Sequence, residues 1–155
     1  MKRLADILRM TFVSPEFAWV CLISLVYISG DWLGILGLQL KSNSDVWKAL
    51  YVLPLVFTGF AFKASSKLRY PLAKEENKAL YEWPEYHRIT DRVVFSIFLC
   101  LVCSLGTVGL WVFTSRIEES LLAVSYLAFV GLSGISTLLL ILAEYRLKEI
   151  LTRYV

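Results

Sequence analysis

The sequence has one histidine, three cysteines and, over two long stretches, no charged residue at all. Each shortage excludes something. His87 has no second ligand at metal spacing, and three cysteines without a histidine beside them make no zinc site. Neither segment 39–45 nor segment 114–120 contains a cysteine, so no thiol stands outside the apolar runs to pass a disulfide on. Charged residues are 19% of the chain and apolar residues 57%, against about 25% and roughly 45–50% in a soluble domain. With a mean hydropathy of +0.63, that balance excludes a cytosolic enzyme, a secreted disulfide scaffold and a nucleic-acid-binding domain as the main body. Segments 93–113 and 121–143 hold no charge, and about 20 predominantly apolar residues suffice to span a bilayer.

Four apolar stretches predict four spans, at about 15–38, 46–62, 92–113 and 121–143. The second is near the lower limit of length, and Lys63 and Lys67 can extend it by drawing their ammonium groups back to the interface. Backbone groups in hydrocarbon must be satisfied within their own segment, which predicts helices. No ten-residue alternation of the β-barrel kind is visible. The expected fold is an all-α, polytopic four-helix transmembrane bundle.

Orientation follows from lysine and arginine. Thirteen of the 16 lie in the N-terminal segment, in the stretch between spans two and three, and in the C-terminal tail; only Lys41, Lys48 and Arg116 lie elsewhere. Basic segments stay in the cytoplasm, which predicts that both termini and the middle loop face it, as in a bacterial inner-membrane protein. Trp32, Trp47 and Trp111 then fall at the outer boundary and Trp19 at the inner one. The net charge of +3 serves topology and attraction to anionic lipid rather than direct nucleic-acid binding. Asp6 and Arg9 interrupt the place of a signal-peptide core.

The cytoplasmic parts have helical patterns of their own. Residues 2–13 place Leu4, Ile7, Leu8, Thr11 and Phe12 on one face, as an interfacial helix does. Ser14-Pro15-Glu16 reads as a helix start, with serine as N-cap, proline at the first position and Glu16 as an acid at the positive dipole end. The middle loop, 64–90, carries a predicted short helix at 72–83 and the aromatics Tyr70, Tyr81, Trp83 and Tyr86. Such residues suit headgroup-level packing and binding hot spots alike. Span four continues without a breaker into a helical tail, 144–155. Glu144 with Lys148 and Glu149 with Arg153 form i,i+4 pairs, and Leu147, Ile150, Leu151 and Tyr154 form an apolar stripe. The stripe packs either on the chain's own middle loop or on a partner.

Within the spans, Cys100-Leu101-Val102-Cys103 is similar in spacing to the C-x-x-C of vitamin K epoxide reductase-type enzymes, but no outer cysteine pair completes a relay. With Ser104 and Thr107 the two cysteines form a small-residue face suited to helix packing. Asp31 is either an acid at the outer interface beside Trp32 or a buried acid facing the bundle, where ionisable groups are costly and often functional. Lipoprotein signal peptidase needs paired aspartates on neighbouring spans, and these spans do not supply them. Pro54 removes a donor and frees the carbonyl of Leu50; with Thr58 and Gly59 it marks a hinge or a close-packing point. Span four spreads Ser125, Ala128, Gly131, Ser133, Gly134, Ser136 and Thr137 over more than one face, so it can touch two neighbours at once.

No catalytic constellation emerges, and no cofactor is expected. The expectation is a non-enzymatic scaffold or sensor that forms a homo-oligomer in the lipid bilayer and docks a soluble cytoplasmic protein. The docking residues would be Tyr81, Trp83, Tyr86 and Arg88, with Leu147, Ile150, Leu151 and Tyr154 in support. A small oligomeric channel built on Asp31, Pro54 and Thr58, or a membrane immunity or superinfection-exclusion protein, are the alternatives. In span count, size and basic cytoplasmic loop the chain resembles the membrane subunits of two-gene bacterial anti-phage systems such as Kiwa. That resemblance implies sensing of envelope disturbance and relay to a cytosolic effector.

Overall fold

A computed structural model describes residues 14–29, 32–42, 44–69 and 86–154. Five α-helices follow one another: α1 (Pro15–Ser29), α2 (Trp32–Ser42), α3 (Ser44–Arg69), α4 (Tyr86–Val112) and α5 (Glu119–Tyr154). Every element among the described residues is helical.

Ser14 caps α1 as its sequence predicts: the Phe17 N–H lies 3.3 Å from the Ser14 hydroxyl, satisfying one of the four amides a helix start leaves open. The first apolar stretch is two helices rather than one: α1 ends at Ser29 and the chain resumes as α2 with its axis turned by 99°, and the two together are long and apolar enough for one bent span. Gly30 and Asp31 fall between the two, outside the described residues. A poor helix former followed by a turn-favouring acid is the sequence reason for a break there. α1 starts at the end of the bundle where α3 finishes, and α2 lies across the opposite end. There Gly37 sits against the backbone of Glu119, so closely that any Cβ would overlap its carbonyl, and Lys41 Nζ lies 3.8 Å from Glu119.

α3 runs to Arg69, where the pattern before Pro71 places its end. α4 starts at Tyr86, some residues before the third apolar stretch begins. Tyr86, His87 and Arg88 are therefore first-turn residues of a long helix, not loop residues. The predicted helices at 2–13 and 72–83 lie outside the described residues.

α5 is the organising element. Its 36 residues extend about 54 Å at 1.5 Å per residue, and it packs against α1, α2, α3 and α4. The sequence pattern foresaw two neighbours; the scatter of small residues around α5 accommodates four. Its close approaches are specific: Gly106 of α4 meets the Phe129 ring, and Gly131 lies under the indole of Trp19.

The interior has three levels. One apolar cluster, at the end where α3 finishes, joins Ala61, Ala64, Leu68, Val93, Leu140 and Leu147. A second, at the end where α5 begins, joins Leu33, Leu40, Leu110, Leu122, Ala123 and Tyr126. Between them lies a layer of hydroxyls and one thiol. Thr58 Oγ1 is 2.8 Å from Ser104 Oγ, 2.8 Å from the Pro54 carbonyl and 3.3 Å from that of Cys100. Thr137 Oγ1 lies 3.1 Å from the Phe57 carbonyl, and Cys100 Sγ lies 3.7 Å from that of Ser133. The layer thus cross-ties α3, α4 and α5. Cys100, Cys103, Ser104 and Thr107 are all buried, so the small-residue face of α4 is a packing face. Pro54 is fully buried and sits inside a continuous helix; the Leu50 carbonyl that it frees accepts a hydrogen bond from Tyr126 Oη at 3.1 Å. The break in the α3 ladder is repaired from α5.

Outside, the polarity is inverted relative to a soluble domain. Ser96, Thr107, Ser133 and Ser136 are fully buried, whereas Ile28 is 82% exposed, Leu105 72%, Leu25 67% and Phe98 63%. Soluble monomers seldom show such contiguous apolar surface, while lipid-embedded helices pack through small and hydroxylated residues and turn large apolar ones outward. Among the described residues α4 and α5 are long and apolar enough to cross a membrane, and the bent α1–α2 pair makes three if it counts as one span. These helices are those of a membrane protein.

Candidate functional site where α1 and α4 begin

Glu16 occupies the first turn of α1, where an acid complements the helix dipole. The expectation that this is its role is incomplete. Its side chain is only 5% exposed and is ion-paired through Oε1 with Arg92 Nη2 of α4. The same oxygen accepts a hydrogen bond from the Ser136 hydroxyl of α5 at 3.0 Å. One carboxylate thus joins α1, α4 and α5, three elements far apart in sequence. Its other oxygen, Oε2, is buried without a hydrogen-bond partner, as are Trp19 Nε1, one turn further along α1, and Ser96 Oγ, one turn beyond Arg92 on α4. Arg92 also lies over the Phe95 ring, 6.0 Å from its centroid.

The sequence signal for this pair existed. Glu16 opens an apolar run and Arg92 closes the basic loop, so opposite charges enter the spans at one depth, where a buried charge must find a partner. What the sequence could not give is that α1 and α4 place them together.

A second ionic group stands on the same end. Glu144 is 8% exposed and takes Lys67 of α3 at 3.3 Å and Lys148 of its own helix at 3.0 Å. The i,i+4 pairing was legible; the bridge to α3 was not. Glu149 lies 3.5 Å from Arg146, an exposed pair of small energetic weight. Together these contacts tie the start of the tail to the end of α3.

Beside the Glu16–Arg92 pair a groove of about 530 Å³ opens between α1, α3, α4 and α5. Ser14, Arg88, Arg92 and Ser96 stand on it, and Leu68, Ile89, Val93, Leu139 and Leu140 form its apolar wall.

The docking residues expected from sequence are dispersed. Arg88 is exposed and lines the groove. Tyr86 is half-buried against the apolar cluster at the end where α3 finishes. Leu147 is a member of that cluster, 8% exposed, so its side chain packs on the chain's own helices. Pro54 and Thr58 belong to the buried middle layer, well away from this end. Asp31, Tyr81 and Trp83, and the side chains of Ile150, Leu151 and Tyr154, lie outside the described residues. His87 is exposed, and among the described residues no group of three or more His, Cys, Asp or Glu side chains is placed to hold a metal ion. No protein-family model, curated protein or solved structure matches the chain, so its function has to be read from this geometry.

Proposed function

We propose that the chain is a non-enzymatic integral membrane scaffold or sensor. It crosses the membrane four times with both termini in the cytoplasm, forms a homo-oligomer, and docks a soluble cytoplasmic protein through its middle loop and C-terminal helix. The observation behind this reading is α5: one uninterrupted helix of 36 residues, packed on every other helix. About 30 Å of hydrocarbon takes roughly 20 residues of it, which leaves several turns beyond the boundary. A displacement felt by α2 at the far end has a continuous helical route to the tail through α5, and the Glu16–Arg92 and Lys67–Glu144 pairs hold α1, α3 and α4 to one another and to that route.

The fourth crossing in this reading is α3, which is not among the helices apolar enough to count as spans by themselves; its 26 residues and the basic residues gathered beyond its end and before α4 support it. Lys67 reaching Glu144 at 3.3 Å fits a lysine at the inner boundary. Oligomerisation is supported by the large apolar side chains that α1 and α4 leave exposed, and a role in bacterial defence against phage is part of this reading on the resemblance in layout alone. A pore within one chain has less in its favour: the hydroxyls of the middle layer are bonded to one another and to helix carbonyls.

The test is recovery of the tagged chain from its host in mild detergent, read by native mass spectrometry. Replacing Tyr81 and Trp83 together by serine is expected to reduce co-purification of the soluble partner by at least tenfold, because aromatic hot spots dominate binding energy, without changing the amount of chain in the membrane. Undiminished co-purification would remove the docking role from the loop.

A further inference from the structure

We infer that α2, the second limb of the bent pair, lies in the plane of the membrane at the end of the bundle where α5 begins, and that the partner of its outer face is the lipid of the adjacent leaflet. The inference rests on the chain being a membrane protein and not on its docking a soluble partner; within the proposed sensor it names what α2 touches. Four observations favour it.

The first is length. α1 holds 15 residues, about 22 Å at 1.5 Å per residue, whereas the hydrocarbon core is about 30 Å thick. A ruler along α5 agrees. Glu16 of α1 is bonded to Ser136, Gly37 of α2 sits against Glu119, and the stretch of α5 between those contacts is about 26 Å long. Counted from the level of the Glu16–Arg92 pair, where charges belong at a boundary, α2 stands close to the opposite boundary with little of the core left to cross. A span this short draws the leaflet in toward it. The second is direction. α1 follows α5 in the opposite sense, since Glu16 meets Ser136 and Trp19 meets Gly131. α5 is long and apolar enough to cross, and α2 is turned by 99° from α1, so its axis runs along the membrane surface.

The third is the pair of faces on α2. Leu33 and Leu40 are buried and Gly37 lies against the backbone of Glu119, which at i, i+4 and i+7 is one side of a helix. Trp32, Ile35 and Leu38 occupy the other side and are exposed. An interfacial helix sinks such an apolar face into the boundary between headgroups and acyl chains, and tryptophan is a residue of that level. The fourth is continuity and size. Leu25 and Ile28, near the end of α1, are exposed as well, so the apolar surface of α1 reaches the bend and resumes at Trp32 beyond it. A second copy of the chain would need about 800 Å² from each partner for a stable contact, and three side chains of an 11-residue helix are too few for that. Lipid needs no such minimum.

The experiment uses the full chain in phosphatidylcholine vesicles, with Cys21, Cys100 and Cys103 replaced by serine or alanine and a nitroxide attached at Trp32→Cys or at Leu38→Cys. Depth is read from relaxation of the label by oxygen, which enters lipid, against a water-soluble nickel chelate. Labels at Phe98→Cys and Leu105→Cys, exposed positions on α4, calibrate the scale, because their seven-residue separation is about 10 Å along a crossing helix. Both α2 labels should favour oxygen and stand at one depth. Depths that differ by about 9 Å, the rise over six residues, would show α2 continuing through the membrane and overturn the inference. Preference for nickel at both positions would put the face in water and overturn it too. Spin–spin broadening that disappears on dilution with unlabelled chain would make a second copy the occupant, with the same consequence. If the cysteine-free chain fails to fold, the buried Cys100 and Cys103 are kept and Cys21 alone is replaced. Co-purification of a soluble partner plays no part in the depth reading, so failure of the docking role and failure of this inference give different results.

Discussion

Replacing Arg92 with alanine is expected to destabilise the bundle by about 3 kcal/mol, the lower part of the range for breaking a buried ion pair from one side. The lower part applies because the Arg92 side chain is 27% exposed, whereas that of Glu16 is 5% exposed. The cost comes less from the attraction lost than from the carboxylate left behind among α1, α4 and α5, with the Ser136 hydroxyl as its remaining side-chain partner. Neutralising that carboxylate in turn, with Glu16→Gln on the Arg92→Ala background, should recover most of the loss. A double-mutant cycle read by denaturant or thermal unfolding in detergent measures the coupling. If the double variant is as unstable as Arg92→Ala, packing and not charge is what Arg92 supplies. Arg92→Lys keeps the charge but lacks the fork, and an intermediate loss is expected for it.

Gly131→Ala is the second change of large expected effect, and its sign is diagnostic. In an isolated helix this substitution stabilises by about 0.8–1 kcal/mol, since glycine is the poorer helix former. Here the added Cβ would overlap the five-membered and six-membered rings of Trp19 at Cε2, Nε1 and Cζ2. Those are central atoms of a rigid ring, not the end of a flexible chain, so α1 must move away from α5 or the indole must change rotamer. Overpacking of this kind costs about 1–3 kcal/mol, which outweighs the gain in propensity. Destabilisation in the same unfolding assay, relieved by Trp19→Leu, is the expected outcome; a stabilised Gly131→Ala would mean that α1 does not rest on α5 at this point.

Much of the helical framework was legible from residues alone. The N-cap at Ser14, the end of α3 before Pro71 and the unbroken run of α5 all follow from local chemistry, and local chemistry is what a sequence states directly. The freed carbonyl of Leu50 was legible too, but the donor that satisfies it, Tyr126, lies 76 residues away. The same distance in sequence separates Glu16 from Arg92. An acid in the first turn of a helix can be assigned to the dipole, and its entry into an apolar run asks for a partner without saying which charge supplies it. The end of α1 at Ser29 was only half legible: the apolar run continues past it, and the one sequence hint was the alternative that Asp31 stands at an interface beside Trp32. The helical start of the third span was not legible for a related reason: Tyr86, His87 and Arg88 are polar enough to read as loop, while their backbone is already the first turn of α4. Leu147 shows the remaining ambiguity. An apolar stripe on a tail announces that something covers it, and only the fold shows that the covering surface for this residue is α3 and α4.

The most direct test of the account is the sidedness of the segments around α3. Single cysteines would be placed at Asn43, Ala73, Ser115 and Thr152 in a chain whose Cys21, Cys100 and Cys103 are replaced by serine or alanine, and labelled in cells with a membrane-impermeant maleimide. The account predicts labelling of Asn43→Cys and Ser115→Cys in intact cells, and of Ala73→Cys and Thr152→Cys only after the membrane is opened. Labelling of Asn43→Cys and Ala73→Cys from the same side would mean that α3 does not cross, and would contradict both the four-span topology and the cytoplasmic platform built on it.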